Sequence, residues 1–313
     1  MLDILGKRYI FFAVSFLIIV PGLIILAVTG LPVAIDFKGG SLLEVQFPNT
    51  NLPSTETVVG IYNKLGIGEV QVQTATDSSG NRDVLIIRSE FIDEVTKNSV
   101  ISELQTTAGV SDLVVNNFES VGPTIAQEVT NRAALAVAVA SLGVILYIAY
   151  AFRGVSHAAR YGVCAIAAMI HDILIVFAVL GYGSIISGWQ IDSLFLTALL
   201  TVIGFSTQDT IVVFDRIREN SSFLRKLPFE KLANHSIVQT LQRSINTQLM
   251  TSEFMLLALA LFGGITLREF AVILLVGLLS GTYSSIFVAA PILVVWENKE
   301  WRTWFRRKQN ANA

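Results

Sequence analysis

Four ionisable residues stand inside apolar stretches of this sequence, where a charge is costly, and their types point to proton chemistry. Asp209 lies in Thr201-Val-Ile-Gly-Phe-Ser-Thr-Gln-Asp-Thr210, six residues before Asp215 and Arg216. In a helix that spacing is about 9 Å. Arg243 is followed by Asn246, Thr247, Thr251 and Glu253, a polar stripe within about 160° of helical arc that is expected to look into a bundle. Asp172, preceded by His171, lies about twelve residues from either end of its apolar run, and Glu253 lies near the middle of another. A carboxylate or guanidinium at bilayer depth costs about 2.5–3.5 kcal/mol and by default marks function. An acid and a fixed cation at similar depth on consecutive antiparallel helices make a proton switch. Attraction to Arg243 favours ionised Asp209, burial favours the neutral acid, and separating the two groups loads a proton. The competing readings are plainer: Asp209 reaching for water at a helix end, Arg243 anchored on lipid phosphates, Asp172 and His171 as packing partners, and Glu253 in a structural hydrogen bond. No cofactor is expected, with protons as the coupling ion.

These residues need membrane helices to hold them, and the composition supplies such helices. Of 313 residues 53% are apolar and only 15% charged, with a formal net charge of -2. Soluble domains carry about 25% charge, so this chain cannot clothe its apolar surface in water. Intrinsic disorder and a nucleic-acid-binding domain are excluded on the same grounds. The single Cys164 excludes an intramolecular disulfide. About 20 apolar residues cross a bilayer, and six stretches qualify: Tyr9–Val28, Ala133–Phe152, Ala159–Tyr182, Ile191–Phe214, Ser244–Ile265 and Phe270–Trp296. Lys and Arg divide fifteen to seven in favour of the side carrying both termini, which places the termini in the cytoplasm. Four regions are expected: residues 1–28 with the first span, an extracytoplasmic domain over 29–130, spans two to six over 131–296 with a cytoplasmic loop at 215–243, and a basic tail at 297–313. Trp296, Trp301 and Trp304 mark an interface, and Arg306-Arg-Lys308 suits anionic lipid.

The outward insert alternates strand and helix patterns. Ser41–Phe47, Glu69–Ala75, Arg82–Arg88 and Asp112–Phe118 read as strands, and Ser54–Leu65 and Ile92–Thr107 as helices. The order is βαββαβ, expected to be a ferredoxin-like α+β domain, which names no function by itself. In the last span Gly277-Leu-Leu-Ser-Gly281 offers a face for close helix approach.

Several motifs together resemble one family. Ile35-Asp-Phe-Lys-Gly-Gly40, with Asp36, Phe37, Gly39 and Gly40, is similar to the Asp-Phe-x-Gly-Gly signature of the SecD/SecF family. Gly204–Asn220, which includes Asp215 and Arg216, resembles the family's fourth-span signature. Ile170-His-Asp172, Arg243-Ser-Ile-Asn-Thr247 and Phe262-Gly-Gly264 follow in the expected order. The resemblance implies half of an RND-type bundle in the bacterial inner membrane. It implies no enzyme but an accessory translocase subunit that uses proton motive force to promote protein export and membrane-protein insertion. The partners it implies are SecD, the SecYEG translocon, YajC and YidC, with unfolded secretory or membrane proteins as clients. The family's proton-linked acid falls on Asp209 and its fifth-span arginine on Arg243. The chain departs from the pattern at Phe205-Ser-Thr-Gln-Asp209 (commonly Tyr-Ser-Leu-Asn-Asp), at Lys38 (usually Thr) and at Glu253 (an apolar position). A homodimeric small-molecule exporter of six-helix halves is the alternative reading. An intramembrane aspartyl protease using Asp172 and Asp209 is disfavoured, because the Gly-x-Gly-Asp loop is missing and the two acids differ in depth.

Overall fold

The computed structural model describes residues 3–47, 52–76, 83–108, 113–153, 158–224, 226–248, 254–263 and 265–300. A short 3-10 turn, Leu5–Lys7, leads into eleven helical segments and four strands. The helices are α1 (Arg8–Thr29), α2 (Ile35–Lys38), α3 (Thr55–Lys64), α4 (Glu94–Ala108), α5 (Pro123–Ala151), α6 (Ala158–Ser187), α7 (Ser193–Phe223), α8 (Phe229–Gln248), α9 (Phe254–Phe262), α10 (Ile265–Ser284) and α11 (Ala290–Glu297). A π-helical turn, Ser285–Ala289, joins α10 to α11. Among the described residues five helical stretches are long and apolar enough to cross a membrane: Leu5–Thr29, α5, α6, α7 and Leu267–Glu297. They correspond to the expected spans one to four and six. The stretch expected as span five divides differently. Arg243 does not open it but lies fourteen residues into α8, and the nine residues of α9 are its described apolar part. Glu253 and Thr251 lie outside the described residues, as do Trp301, Trp304 and the tail arginines.

Two helices outrun their apolar runs. Helix α5 starts at Pro123, ten residues before the expected Ala133 and inside the stretch expected to be outward domain. Gly122 is its N-cap and proline at the first turn suits a helix start. Helix α7 runs nine residues past Phe214, and α8 folds back beside it, so much of the expected 215–243 loop is a helical hairpin. Side-chain bonds stitch the hairpin: Asn220 Nδ2 donates to Ser236 Oγ at 2.8 Å and to Gln239 Oε1 at 3.0 Å.

The strands are β1 (Gly40–Gln46), β2 (Gln71–Thr76), β3 (Asp83–Ser89) and β4 (Val114–Val121), forming one antiparallel sheet in the order β2-β3-β1-β4. Leu43 and Val45 of β1 and Leu85 and Ile87 of β3 alternate onto one face. There they pack with Val58, Ile61 and Tyr62 of α3 and Val100 and Leu104 of α4 into a closed core. Ser54 caps α3 by accepting from the Thr57 N–H at 3.3 Å.

The spans pack through small residues. Gly277 and Gly281 of α10 lie against Val202 and Ser206 of α7, where a Cβ on either glycine would meet those residues. This close approach is what the Gly-x-x-x-Gly spacing suggests. Cys164 is free and buried.

Candidate proton-coupling site

The site is built along α7. Ser206 and Asp209 are one turn apart on this helix, on the side that faces α6 and α10. Ser206 is buried and donates to Asp172 Oδ2 of α6 at 2.5 Å. Asp209 is half-buried and accepts from Thr282 Oγ1 of α10 at 3.2 Å. Arg243 stands on α8, the helix that packs beside α7. Among the described residues no ion pair within 4 Å joins it to Asp209, so Thr282 is the acid's direct partner.

Arg243 corrects one expectation. With Asn246 and Thr247 it lies on the exposed side of α8, while the bundle covers Leu232, Ala233, Ser236, Ile237, Thr240, Ser244 and Gln248. The covered stripe follows helical spacing from Leu232, so the register was set eleven residues before Arg243. Gln248 closes the helix onto the bundle by donating to the Leu278 carbonyl at 3.0 Å. The described part of the polar stripe, Arg243, Asn246 and Thr247, therefore faces away from this chain's own core.

Asp172 is the deepest acid, 1% exposed. Three serine hydroxyls and His171 surround its carboxylate, and the motifs that contain His171, Ser206 and Ser280 gave no sign that they converge on it. Asp172 and Asp209 accept from different hydroxyls, Asp172 from Ser206, Ser280 and Ser284 and Asp209 from Thr282.

The two family-motif groups act as joints. Asp36 Oδ2 accepts from the Ser193 N–H at 2.9 Å and the Ser193 hydroxyl at 2.5 Å, on the first residue of α7. Asp192, the N-cap, accepts from the Phe195 N–H at 2.6 Å. Two acids thus sit at the positive end of the helix that carries Asp209. The Phe37 carbonyl accepts from Thr130 of α5 at 3.0 Å. Gly39 and Gly40 have φ of 83° and 132°, and a Cβ at Gly40 would strike the Ser89 carbonyl of β3. Val33 pairs with Ile191 in a short parallel bridge, with the Ala34 N–H donating to the Ile191 carbonyl at 3.0 Å. The sheet is therefore strapped to the head of α7. At the other end, Asp215 pairs with Arg218 at 2.6 Å and Arg216 with Glu219 at 2.6 Å along α7, while Arg216 also donates to Gln239 Oε1 of α8 at 2.8 Å across the hairpin.

A cleft of about 1030 Å³ opens between the sheet and the span ends nearest it, lined by Pro32, Phe37, Gln73, Arg88, Trp189 and Gln190 among others. Arg88 donates to Gln73 Oε1 at 2.7 Å there. Burial pushes its guanidinium below the ordinary value, against the opposing pull of Glu269 and Glu44. Neither Asp172 nor Asp209 lines this cleft.

Comparison with known proteins fits this architecture. The family model described as protein export membrane protein SecD/SecF, C-terminal, matches residues 100–299. A protein of Anaerolinea thermophila named protein translocase subunit SecF is 63% identical over 307 residues, which cover 98% of each chain. The chain belongs to the SecD/SecF family. Another SecD/SecF relative, the protein translocase subunit SecF of Thermobaculum terrenum, is 46% identical and covers 100% of this chain and 99% of its own. The crystal structure of SecDF from Thermus thermophilus, titled a translocon-associated membrane protein, superposes with a TM-score of 0.77 at 32% identity. The match covers 95% of this chain and 39% of that one.

Proposed function

We propose that this chain is the SecF-like subunit of a protein-export machine, using proton motive force to promote late export and membrane-protein insertion. The observation that carries the reading is end-to-end likeness to translocase subunits, combined with a half-buried acid on α7 beside the helix that carries Arg243. Protonation of Asp209 cancels its attraction to Arg243, so α7 and α8 shift in step with proton traffic. Each proton that moves across the membrane supplies about 2.3 kcal/mol per 100 mV. Asp36 carries displacement of α7 to the outward sheet. Arg216, bonded to Gln239, keeps the α7–α8 hairpin stiff at the cytoplasmic end, and Asp215 pairs with Arg218 along α7.

Six spans complete the architecture, the fifth drawn from the stretch that includes wholly apolar α9. They form half of an RND-type bundle. A sheet order of β2-β3-β1-β4 with two crossing helices supports a ferredoxin-like outward domain. Both termini are cytoplasmic in the bacterial inner membrane, which the division of Lys and Arg supports. The 39% coverage of a fused SecDF chain supports a separate SecD partner for the other half of the bundle. Arg243, Asn246 and Thr247 are exposed on α8, where such a partner would cover them. SecYEG, YajC and YidC complete the assembly, unfolded chains are its clients, and anionic lipid receives the basic tail.

The test is Asp209→Asn in proteoliposomes with the partner subunits. Proton-dependent stimulation of secretion should disappear while the protein still inserts. Full stimulation in that variant removes the mechanism. A stoichiometric SecD-like partner in pull-down supports the subunit reading, and self-association alone would favour the homodimeric exporter.

A further inference from the structure

Asp172 sits mid-way along α6, and both oxygens of its carboxylate are occupied. Ser206 of α7 and Ser284 of α10 donate to Oδ2 at 2.5 and 2.6 Å, and Ser280 of α10 donates to Oδ1 at 2.6 Å. His171 brings Nδ1 to 3.1 Å from Oδ1. Its other ring nitrogen, Nε2, lies 2.9 Å from Ser15 Oγ on α1. Ser15 Oγ is 3.4 Å from Tyr283 Oη, and that hydroxyl donates to the Phe11 carbonyl at 2.8 Å. Four helices meet at a His–Asp pair that the Asp209 mechanism does not use.

This chain of bonds is complete in two protonation states. With a neutral imidazole, Nδ1–H donates to Asp172 and bare Nε2 accepts from the Ser15 hydroxyl. With an added proton, Nε2–H donates to a Ser15 lone pair, and the serine hydrogen turns toward Tyr283 Oη. Neither state leaves a buried polar atom unpaired, an omission that costs about 1–3 kcal/mol. One proton arrives from water and no other bond to hydrogen is broken, so the pair moves from net charge −1 to zero. Three hydroxyl donors steady the carboxylate in the first state, and the imidazolium does so in the second.

We propose that His171 is a second proton-binding site of the bundle, with Asp172 as its counter-ion and Ser15 as its reversible hydroxyl partner. Asp172 faces it from α6 and Tyr283 from α10, while α1 and α7 bring the uncharged Ser15 and Ser206. The next charge along α7 is Asp209, one turn beyond Ser206. Helix α10 joins the two acids, because Thr282, on Asp209, stands between Ser280 and Ser284, on Asp172. A neutral imidazole leaves the carboxylate dependent on the α10 hydroxyls, and an imidazolium relaxes that demand. The seating of α10 at Asp209 therefore responds to the charge on His171. The π-helical turn begins directly after Ser284, and such turns occur often at functional sites.

The inference rests on the proton-driven reading above but is read by a separate measurement. The chain has three histidines, so ¹⁵N-histidine NMR of the labelled subunit, in its complex in lipid nanodiscs, can follow each ring. Between about pH 5 and about pH 9, one imidazole should pass from doubly to singly protonated with its remaining hydrogen on Nδ1. That signal should vanish in His171→Gln. In Asp172→Asn the ring should stay singly protonated throughout. Should that variant not fold, Ser284→Ala keeps the charge and removes one donor, so the midpoint should rise by several tenths of a pH unit. An unchanging His171 across the range, or an unchanged midpoint in Ser284→Ala, overturns the proposal. Asp209→Asn should leave a titrating His171 even where it abolishes stimulated secretion, which separates the two claims.

Discussion

Replacing Asp36 with alanine tests whether the four-stranded domain is fastened to the helix that carries Asp209. The substitution removes two hydrogen bonds to Ser193 and one negative charge from the N-terminus of α7. Loss of a capping acceptor costs about 0.5–2 kcal/mol, and loss of a charge at a helix terminus about 0.3–1 kcal/mol. Asp192 keeps its own bond to Phe195, so the first turn stays partly capped and a total of about 1–2 kcal/mol is expected. That is about a 5- to 30-fold rise in local opening. Amide hydrogen exchange in nanodiscs should show it at Ser193–Leu196, with mid-helix amides around Val202 unaffected. Asp36→Asn keeps an acceptor and loses only the charge, so its rise should be about 2- to 5-fold. Equal exchange at Ser193 in Asp36→Ala and the parent protein would refute the strap.

Other sites give equally direct tests. Arg8, with its side chain 11% exposed, bonds Glu230 at 2.8 Å and Glu300 at 2.6 Å. Arg8→Ala should cost about 2–3 kcal/mol in thermal unfolding, at the low end for a broken buried pair because Glu230 is partly solvated. Burial would raise the Glu300 carboxyl, but bonds from Arg8, Tyr9 and Asn298 outweigh it and hold it below its ordinary value. A depressed carboxyl contributes stability above the unfolded pKa, about 4.3, and loses it as pH falls through the folded one. The melting temperature of the parent should therefore drop on acidification below about pH 4, and Arg8→Ala should flatten that drop. Gly40→Ala should cost about 1–3 kcal/mol, because it adds a Cβ at φ 132° against the Ser89 carbonyl. Thermal shift should report about 2–4 °C per kcal/mol, and an unchanged midpoint would mean that the β1–β3 contact is not as tight as described.

The long apolar runs were legible because hydropathy and helix length are enough to place a span. The limits of α5 and α7 were not, since hydropathy sees only the part inside lipid. Pro123 after Gly122 was the available signal for the start of α5. Helix α8 hid for a related reason: its covered face mixes Leu232, Ala233 and Ile237 with Ser236, Thr240, Ser244 and Gln248, a stripe of small and polar residues that an apolar template misses. Arg243 looked like the head of a span only because the apolar run starts beside it. Asp209 and Asp172 stood out by the cost of their charge. Their partners did not, because Ser280, Ser284 and Thr282 are ordinary helix residues until folding brings them beside an acid. His171 was expected to act as a packing or interhelical partner, and its bond to Ser15 spans 156 positions of sequence. The Asp-Phe-x-Gly-Gly motif was visible as a signature without a mechanism, and its joint at Ser193 is a property of the folded chain.

A limb hung from one loose thread would average out small movements of its anchor, but this sheet is bolted twice, through the end of α1 and through the head of α7. The two bolts meet at the Val33–Ile191 bridge, where neighbouring backbones are about 5 Å apart. A seven-residue strand such as β1 reaches about 23 Å. Sliding α7 by the rise of one residue, about 1.5 Å, while α1 stays put would tilt that lever and swing its far tip by about 7 Å. A displacement too small to open a path through lipid would become, at the far edge of the sheet, a stroke about as long as two residues of extended polypeptide.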